Sequence, residues 1–142
     1  MMKLSFLKRK TFHGLQGRYL TVYTLLKIKF GSSEVSICIH NFHRGDEDPD
    51  PHDHPFSFYS AVLIGGYREF TEDGTSIVRK PLSVAYRSAT HRHRVEPLTK
   101  HCWTICMKTK VDREWGFWKQ GIFVPWEDYI RAKGLKPIDD TT

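Results

Sequence analysis

The sequence predicts an all-β fold, a small antiparallel barrel or jelly roll with a short C-terminal helix. Three observations carry this expectation. Apolar and polar residues alternate through several short segments, and Gly, Pro, Asn and Asp clusters separate those segments. Helical signals are strong in one place only, near the end of the chain. Many short strands with regular turns fit a barrel, whose mouth and interior can hold a small ligand or a metal.

The elements follow in order. From Arg18 to Phe30 the chain alternates, with Leu20, Val22, Leu26, Ile28 and Phe30 on one parity and Tyr19, Thr21, Tyr23, Lys27 and Lys29 on the other. Gly31-Ser32-Ser33 reads as a turn into a second strand, Val35 to Phe42, with Val35, Ile37 and Ile39 on one side and Cys38 and His40 on the other. Gly45 to Pro51 combines acids with two prolines and is expected to be a loop. Phe56 to Phe70 is rich in aromatic and β-branched residues, with a break at Gly65-Gly66. Thr71 to Thr75 contains the Asp73-Gly74 of a tight hairpin. Ser76 to Lys80, Ser83 to Tyr86, Val95 and His101 to Thr109 supply further short strands, and Trp115 to Trp118 reads as the closing strand. Pro125 to Lys133 is the helix: proline at its start, acids early, basic residues late, Gly134 as the stop. Asp139 to Thr142 reads as a polar tail.

At 142 residues the chain is expected to form a single domain, residues 1–142, with its core at about 18–130 between an N-terminal and a C-terminal tail. A hydrophobic fraction of 39% and an aromatic fraction of 13% argue against a disordered chain. The net charge of +6 is spread along the sequence, and Lys8-Arg9-Lys10 is its only tight basic run. A solvated basic surface explains this better than a nucleic-acid footprint, so nucleic acid is not expected as a partner. Cys38, Cys102 and Cys106 are odd in number and lack paired spacing, which speaks against a disulfide framework and fits a cytoplasmic protein. The apolar start is too short for a signal peptide, and no stretch approaches a membrane span.

The chemistry is expected around His52-Asp53-His54-Pro55, with His91 and His93 further on. Side chains two apart on an extended chain point the same way. Two histidines on one strand face and a third from a neighbouring strand make a metal site inside a barrel. Neutral imidazole suits iron, zinc, copper, nickel or manganese, and three of them leave open coordination positions. The acidic loop Asp46 to Asp50, just before the histidines, could orient an imidazole with a carboxylate.

The segment His52 to Gly66 resembles the first motif of the cupin superfamily: HxH, three or four residues, Glu, six residues, Gly. Tyr59 stands at the Glu position. Ser88 to Val95 resembles the second motif, Pro-x-Gly-x-x-His, with Ser88 and Thr90 in place of Pro and Gly. Together with Gly65-Gly66-Tyr67, His93-Arg94-Val95 and Arg113 to Trp118, these segments resemble small, mostly uncharacterised bacterial and phage cupins over about residues 18–130. The resemblance implies a cupin-type double-stranded β-helix with His52, His54 and His93 as metal ligands. It implies a divalent transition metal, Fe2+ first, with Zn2+, Mn2+ or Ni2+ as alternatives. It also implies a homodimer.

The departures from the motifs widen the candidate set. Without the Glu, three histidines leave the full divalent charge on the ion, which makes it a stronger Lewis acid. Tyr59, His91 and His40 are candidates for a fourth ligand or for supporting contacts. Arg68, Arg87 and Arg113 could each pair with a substrate carboxylate. Cys102 and Cys106, of one parity with Thr104 between them, are expected to line the barrel. Cupins include dioxygenases, isomerases, epimerases and non-catalytic binders, so the fold does not fix the reaction. The functional expectation is a metal-binding cupin acting on a small molecule by iron-dependent dioxygen chemistry. Alternatives are a non-catalytic, sugar-type binding cupin and an isomerase- or epimerase-type cupin.

Overall fold

The computed structural model describes residues 1–14, 16–46 and 48–135. Among these, the strands are β1 (Met2–Gly14), β2 (Gly17–Phe30), β3 (Ser33–Phe42), β4 (Phe58–Ile64), β5 (Tyr67–Thr71), β6 (Ser76–Arg79), β7 (Val84–Arg87), β8 (His93–Pro97), β9 (Cys102–Thr109), β10 (Gly116–Lys119) and β11 (Ile122–Pro125). One helix, α1 (Trp126–Ala132), follows. All strand pairs are antiparallel.

One layer is a six-stranded sheet in the order β1-β2-β3-β9-β4-β7. The other is assembled from pieces: a three-stranded sheet β6-β5-β8 and the hairpin β10-β11. A single residue between them, His52, bridges to His93 of β8 and to Phe117 of β10. Its amide donates to His93 O at 2.9 Å, and its carbonyl accepts from His93 N at 3.0 Å. The strip around His52 thus serves as the missing rung of the second layer.

The interior has an apolar part and a polar part. An apolar cluster of Val62, Tyr67, Val95 and Cys102, with Phe42 against it, occupies one part. Burying Val62 or Val95 contributes about 1.5–3 kcal/mol. Ser36, Ser60, Glu69, Arg87, His93 and Thr104 are also buried. On β3 the inward face carries Ser36 and Cys38, while Val35 is left exposed. On β9 it carries Cys102, Thr104 and Cys106, as the parity predicts. Buried polar groups need partners, and those of this wall surround a site.

Most expected elements appear within a residue or two. The break at Gly65-Gly66 has a steric cause: Gly65 has φ +80°, and a Cβ there would lie 2.5 Å from His101 O. The helix begins one residue later than expected, with Pro125 as its N-cap, and Gly134 (φ +75°) follows its end. The N-terminal segment is a correction. Residues 2–14 are not a tail but a full strand paired along β2, from Met2↔Phe30 to Gly14↔Gly17. The alternation of Met2, Leu4 and Phe6 with Lys3 and Ser5 is the local reason. Strand β11 is also absent from the sequence reading. The expected polar tail Asp139 to Thr142 lies outside the described residues. No described helix is long and apolar enough to cross a membrane.

The β10–β11 hairpin closes tightly at Gly116, where a Cβ would sit 2.1 Å from Val124 O and 2.9 Å from Val124 C. Both atoms are backbone of the paired strand, so they cannot move aside locally. Gly116→Ala is expected to cost about 1–3 kcal/mol in urea unfolding, whereas Lys119→Ala, exposed on the same strand, is expected to be near neutral.

Candidate metal centre

The loop that carries the histidine pair is held by the residue between them. Asp53 is 1% exposed. Its carboxylate accepts from Gly116 N (2.9 Å), Arg113 Nη2 (3.0 Å) and Trp118 Nε1 (3.1 Å). Arg113 also donates Nη1 to the carbonyls of His54 (2.9 Å) and Ala89 (3.1 Å). His54 N bonds to Ala89 O, and Trp118 N to Pro51 O. Backbone and side-chain bonds on both sides of the pair thus fix how His52 and His54 enter the interior.

The structure brings His52, His54 and His93 together, with one ring nitrogen from each within 4.8 Å of the others. The Nε2 atoms of His93 and His54 are 3.2 Å apart. His93 Nδ1 lies 2.7 Å from Glu69 Oε1, so its proton belongs on Nδ1 and its Nε2 lone pair points at His54. His54 Nε2 can donate a proton to that lone pair or share a cation with it, and its Nδ1 is buried without a hydrogen-bond partner. Two nitrogens bound to one ion at about 2.1 Å stand about 3.0–3.4 Å apart for angles between about 90° and 110°. The observed separation fits.

Burial and the neighbouring imidazole charges hold the His54 pKa well below its ordinary value. Burial likewise brings His93 down to about 4, against the opposing pull of Glu69. Both rings are therefore neutral at pH 7, as a metal ligand must be. His52 Nδ1 lies 3.6 Å from Asp46 Oδ2. Asp46 is itself anchored by Val95 N at 2.5 Å and by the Tyr19 hydroxyl. Asp46 of the acidic loop thus faces an imidazole, beyond hydrogen-bonding distance.

Glu69, buried on β5, is the residue that sequence reasoning missed. Burial alone would raise its pKa, but hydrogen bonds from His91, His93 and Arg87 more than offset this and keep it ionised. Oε1 accepts from Arg87 Nε at 2.6 Å and lies 3.1 Å from His91 Nε2. Oε2 faces Arg79 Nε at 3.3 Å and pairs with Arg87 Nη2. Glu69, His91 and His93 form a second trio that could hold a cation. Two guanidinium groups on the same carboxylate make it the poorer cation site, because a divalent ion there would meet both at close range. The available signal was parity: Glu69 alternates with Tyr67 on the inward face of an aromatic strand.

The remaining candidates lie elsewhere. Tyr59 is on the outer side of β4, 51% exposed, with its ring against Tyr86 at 4.9 Å. It is not brought to the cluster. Its neighbour Phe58 points inward instead, 4.9 Å from the His54 ring. His91 touches Glu69 rather than the His52–His54 pair. His40 faces the interior beside Cys106 (3.7 Å), outside both trios. Of the arginines expected to meet a substrate, Arg87 is committed to Glu69 and Arg113 to Asp53. Arg68 is exposed on the face of β5 opposite Glu69. Aromatic rings wall the cluster: Trp115 and Phe117 are 6.2 and 6.0 Å from His52, and Phe56 is 6.4 Å from His54.

The pKa shifts set a pH dependence. His93 titrates near 4 when folded and near 6.5 when unfolded. Between these values the unfolded chain binds more protons, so stability falls as pH drops from about 6.5 towards 4. Glu69, with its folded pKa lowered, contributes stability above about pH 4.5 that is lost on further acidification. Urea midpoints of the metal-free protein across pH 4–8 are expected to fall on the acid side, and His93→Gln is expected to flatten the upper part of that fall.

No protein-family model and no curated protein sequence matches this chain. Solved structures do. HppE with FeII matches with TM-score 0.56 at 13% identity, over 70% of this chain and 56% of that one. The polyketide cyclase RemF from Streptomyces resistomycificus matches with TM-score 0.55 at 15% identity, over 72% and 73%. KdgF from Halomonas sp. matches with TM-score 0.51 at 16% identity, over 66% and 82%. The chain thus spans little more than half the length of HppE. These neighbours are cupin-type folds, and the two-layered β architecture followed by α1 is a cupin fold as well.

Proposed function

We propose that this chain is a metal-binding cupin in which His52, His54 and His93 hold a divalent transition metal, and that it carries out iron(II)-dependent dioxygen chemistry on a small molecule. The observation behind this reading is the convergence of three ring nitrogens within 4.8 Å, with His93 held by a buried carboxylate through its other nitrogen. Iron(II) bound by three neutral imidazoles keeps open positions for dioxygen and a substrate. HppE, a neighbour in fold, was solved with FeII, which is consistent with that choice of ion.

The chain's own residues do the rest. Glu69 fixes the His93 tautomer and ring plane, and Asp46 lies where it favours a proton on His52 Nδ1. Asp53 and Arg113 hold the loop between them. Trp115 stacks on Trp126 at 5.5 Å and Phe117 on Tyr129 at 3.9 Å, so α1 backs the aromatic wall that excludes water from one side.

Metal analysis of anaerobically purified protein tests this. About one iron per chain is expected, with His52→Ala and His93→Ala each reducing the content to background. Glu69→Gln is expected to weaken metal affinity by about 10–100-fold. Oxygen consumption is expected only in the iron-loaded protein, across a panel of small organic substrates. Bound metal without oxygen consumption would favour a binding cupin, and no bound metal would refute the proposal.

A further inference from the structure

Lys108 is a cation beside the histidine cluster with no carboxylate to balance it among the described residues. It follows Thr104 and Cys106 on the inward face of β9, opposite Ser36 of β3 and Phe58 of β4. Its Nζ lies 4.8 Å from the centroid of Phe56. Phe56 and Phe58 are the two rings that flank His54, and the Lys108 charge is one of those acting on His54. Burial lowers the pKa of Lys108, opposed by the Cys38 and Cys106 thiols, and Cys38 is its hydrogen-bond partner on the wall. Further along the same wall, His40 Nε2 is buried without a hydrogen-bond partner, while its Nδ1 is 3.7 Å from Cys106 Sγ.

The buried carboxylates around the histidines are committed to other partners: Glu69 to Arg87, Arg79 and His93, Asp53 to Arg113 and Trp118, and Asp46 to Val95 N and the Tyr19 hydroxyl. An unbalanced cation in a low-dielectric wall is costly, and an anion brought to it is bound strongly. We propose that Lys108 is the specificity-determining residue of this site. It pairs with a carboxylate of a small organic acid whose other oxygens reach the ion held by His52, His54 and His93. His40 Nε2 offers a second hydrogen-bonding point deeper in the barrel. The inference rests on the metal reading for the ligand's second contact, but the pairing with Lys108 does not require the ion.

The test uses cobalt(II) as a spectroscopic ion and oxalate as the probe, with imidazole as a neutral ligand for comparison. Cobalt affinity reads the metal site, and the change in the cobalt visible bands reads oxalate or imidazole binding. Lys108→Met is expected to weaken oxalate by about 10–100-fold, while cobalt affinity and imidazole binding stay as in the wild type. Lys108→Arg is expected to retain most oxalate affinity, and Lys108→Gln gives the same reading as Met should the Met variant fail to fold. Oxalate binding that is unchanged in the neutral variants, or absent from the wild type, would overturn the proposal. If the wild type binds no cobalt, the metal reading fails separately. Oxalate is then titrated into the metal-free protein by NMR, where a loss on Lys108→Met supports the anion site and no binding by the wild type overturns it.

Discussion

The arrangement depends on one buried charge. Glu69 sits in the interior of a β-barrel, where an isolated carboxylate would be neutralised by protonation. Hydrogen bonds from His91, His93 and Arg87 keep it ionised, and Arg79 adds a second guanidinium at 3.3 Å. Those guanidinium groups have two effects. They make the carboxylate available as an acceptor for the proton on His93 Nδ1. They also make it a poor home for a divalent ion, which favours the open side of His93 and its two histidine neighbours. The position of one anion thereby discriminates between two overlapping histidine trios.

A second constraint is architectural. The two layers of the barrel are unequal, because one is a continuous six-stranded sheet and the pieces of the other are joined by a strip in which one residue bridges both β8 and β10. That residue is His52. Its backbone completes the sheet while its side chain enters the site, so fold and site share the same hydrogen bonds. Asp53 fastens the adjoining strip to β10, and Tyr129 of α1 donates to Asp50 Oδ2 at 2.7 Å. The terminal helix therefore bears on the histidine loop from outside, through the acidic segment and through the stacked aromatic rings.

The sequence made the strands legible wherever alternation was clean, as in β2, β3 and β9, and the helix legible through its proline, acids and glycine. It hid β1 because a basic run interrupts a short apolar alternation. It hid β11 because a four-residue strand leaves almost no periodicity to read. The histidines were visible because HxH spacing survives in one dimension. Their supports were not. Asp53 lay inside the motif and Glu69 inside a strand, yet the partners that give each its role are distant in sequence: Arg113 for the first, Arg87 and His93 for the second. Tyr59 misled for a related reason. Alignment places it at a ligand position, while the pleat turns it outward and sends Phe58 in. Arg87 and Arg113 looked like substrate clamps because composition cannot show that a guanidinium is already paired.

The most direct measurement is a crystal structure of the iron-loaded protein with anomalous diffraction at the iron edge. The account predicts one strong peak bonded to His52, His54 and His93, with Glu69 still hydrogen-bonded to His93 Nδ1. A peak bonded to Glu69 and His91, or no peak within reach of His52 and His54, would contradict it.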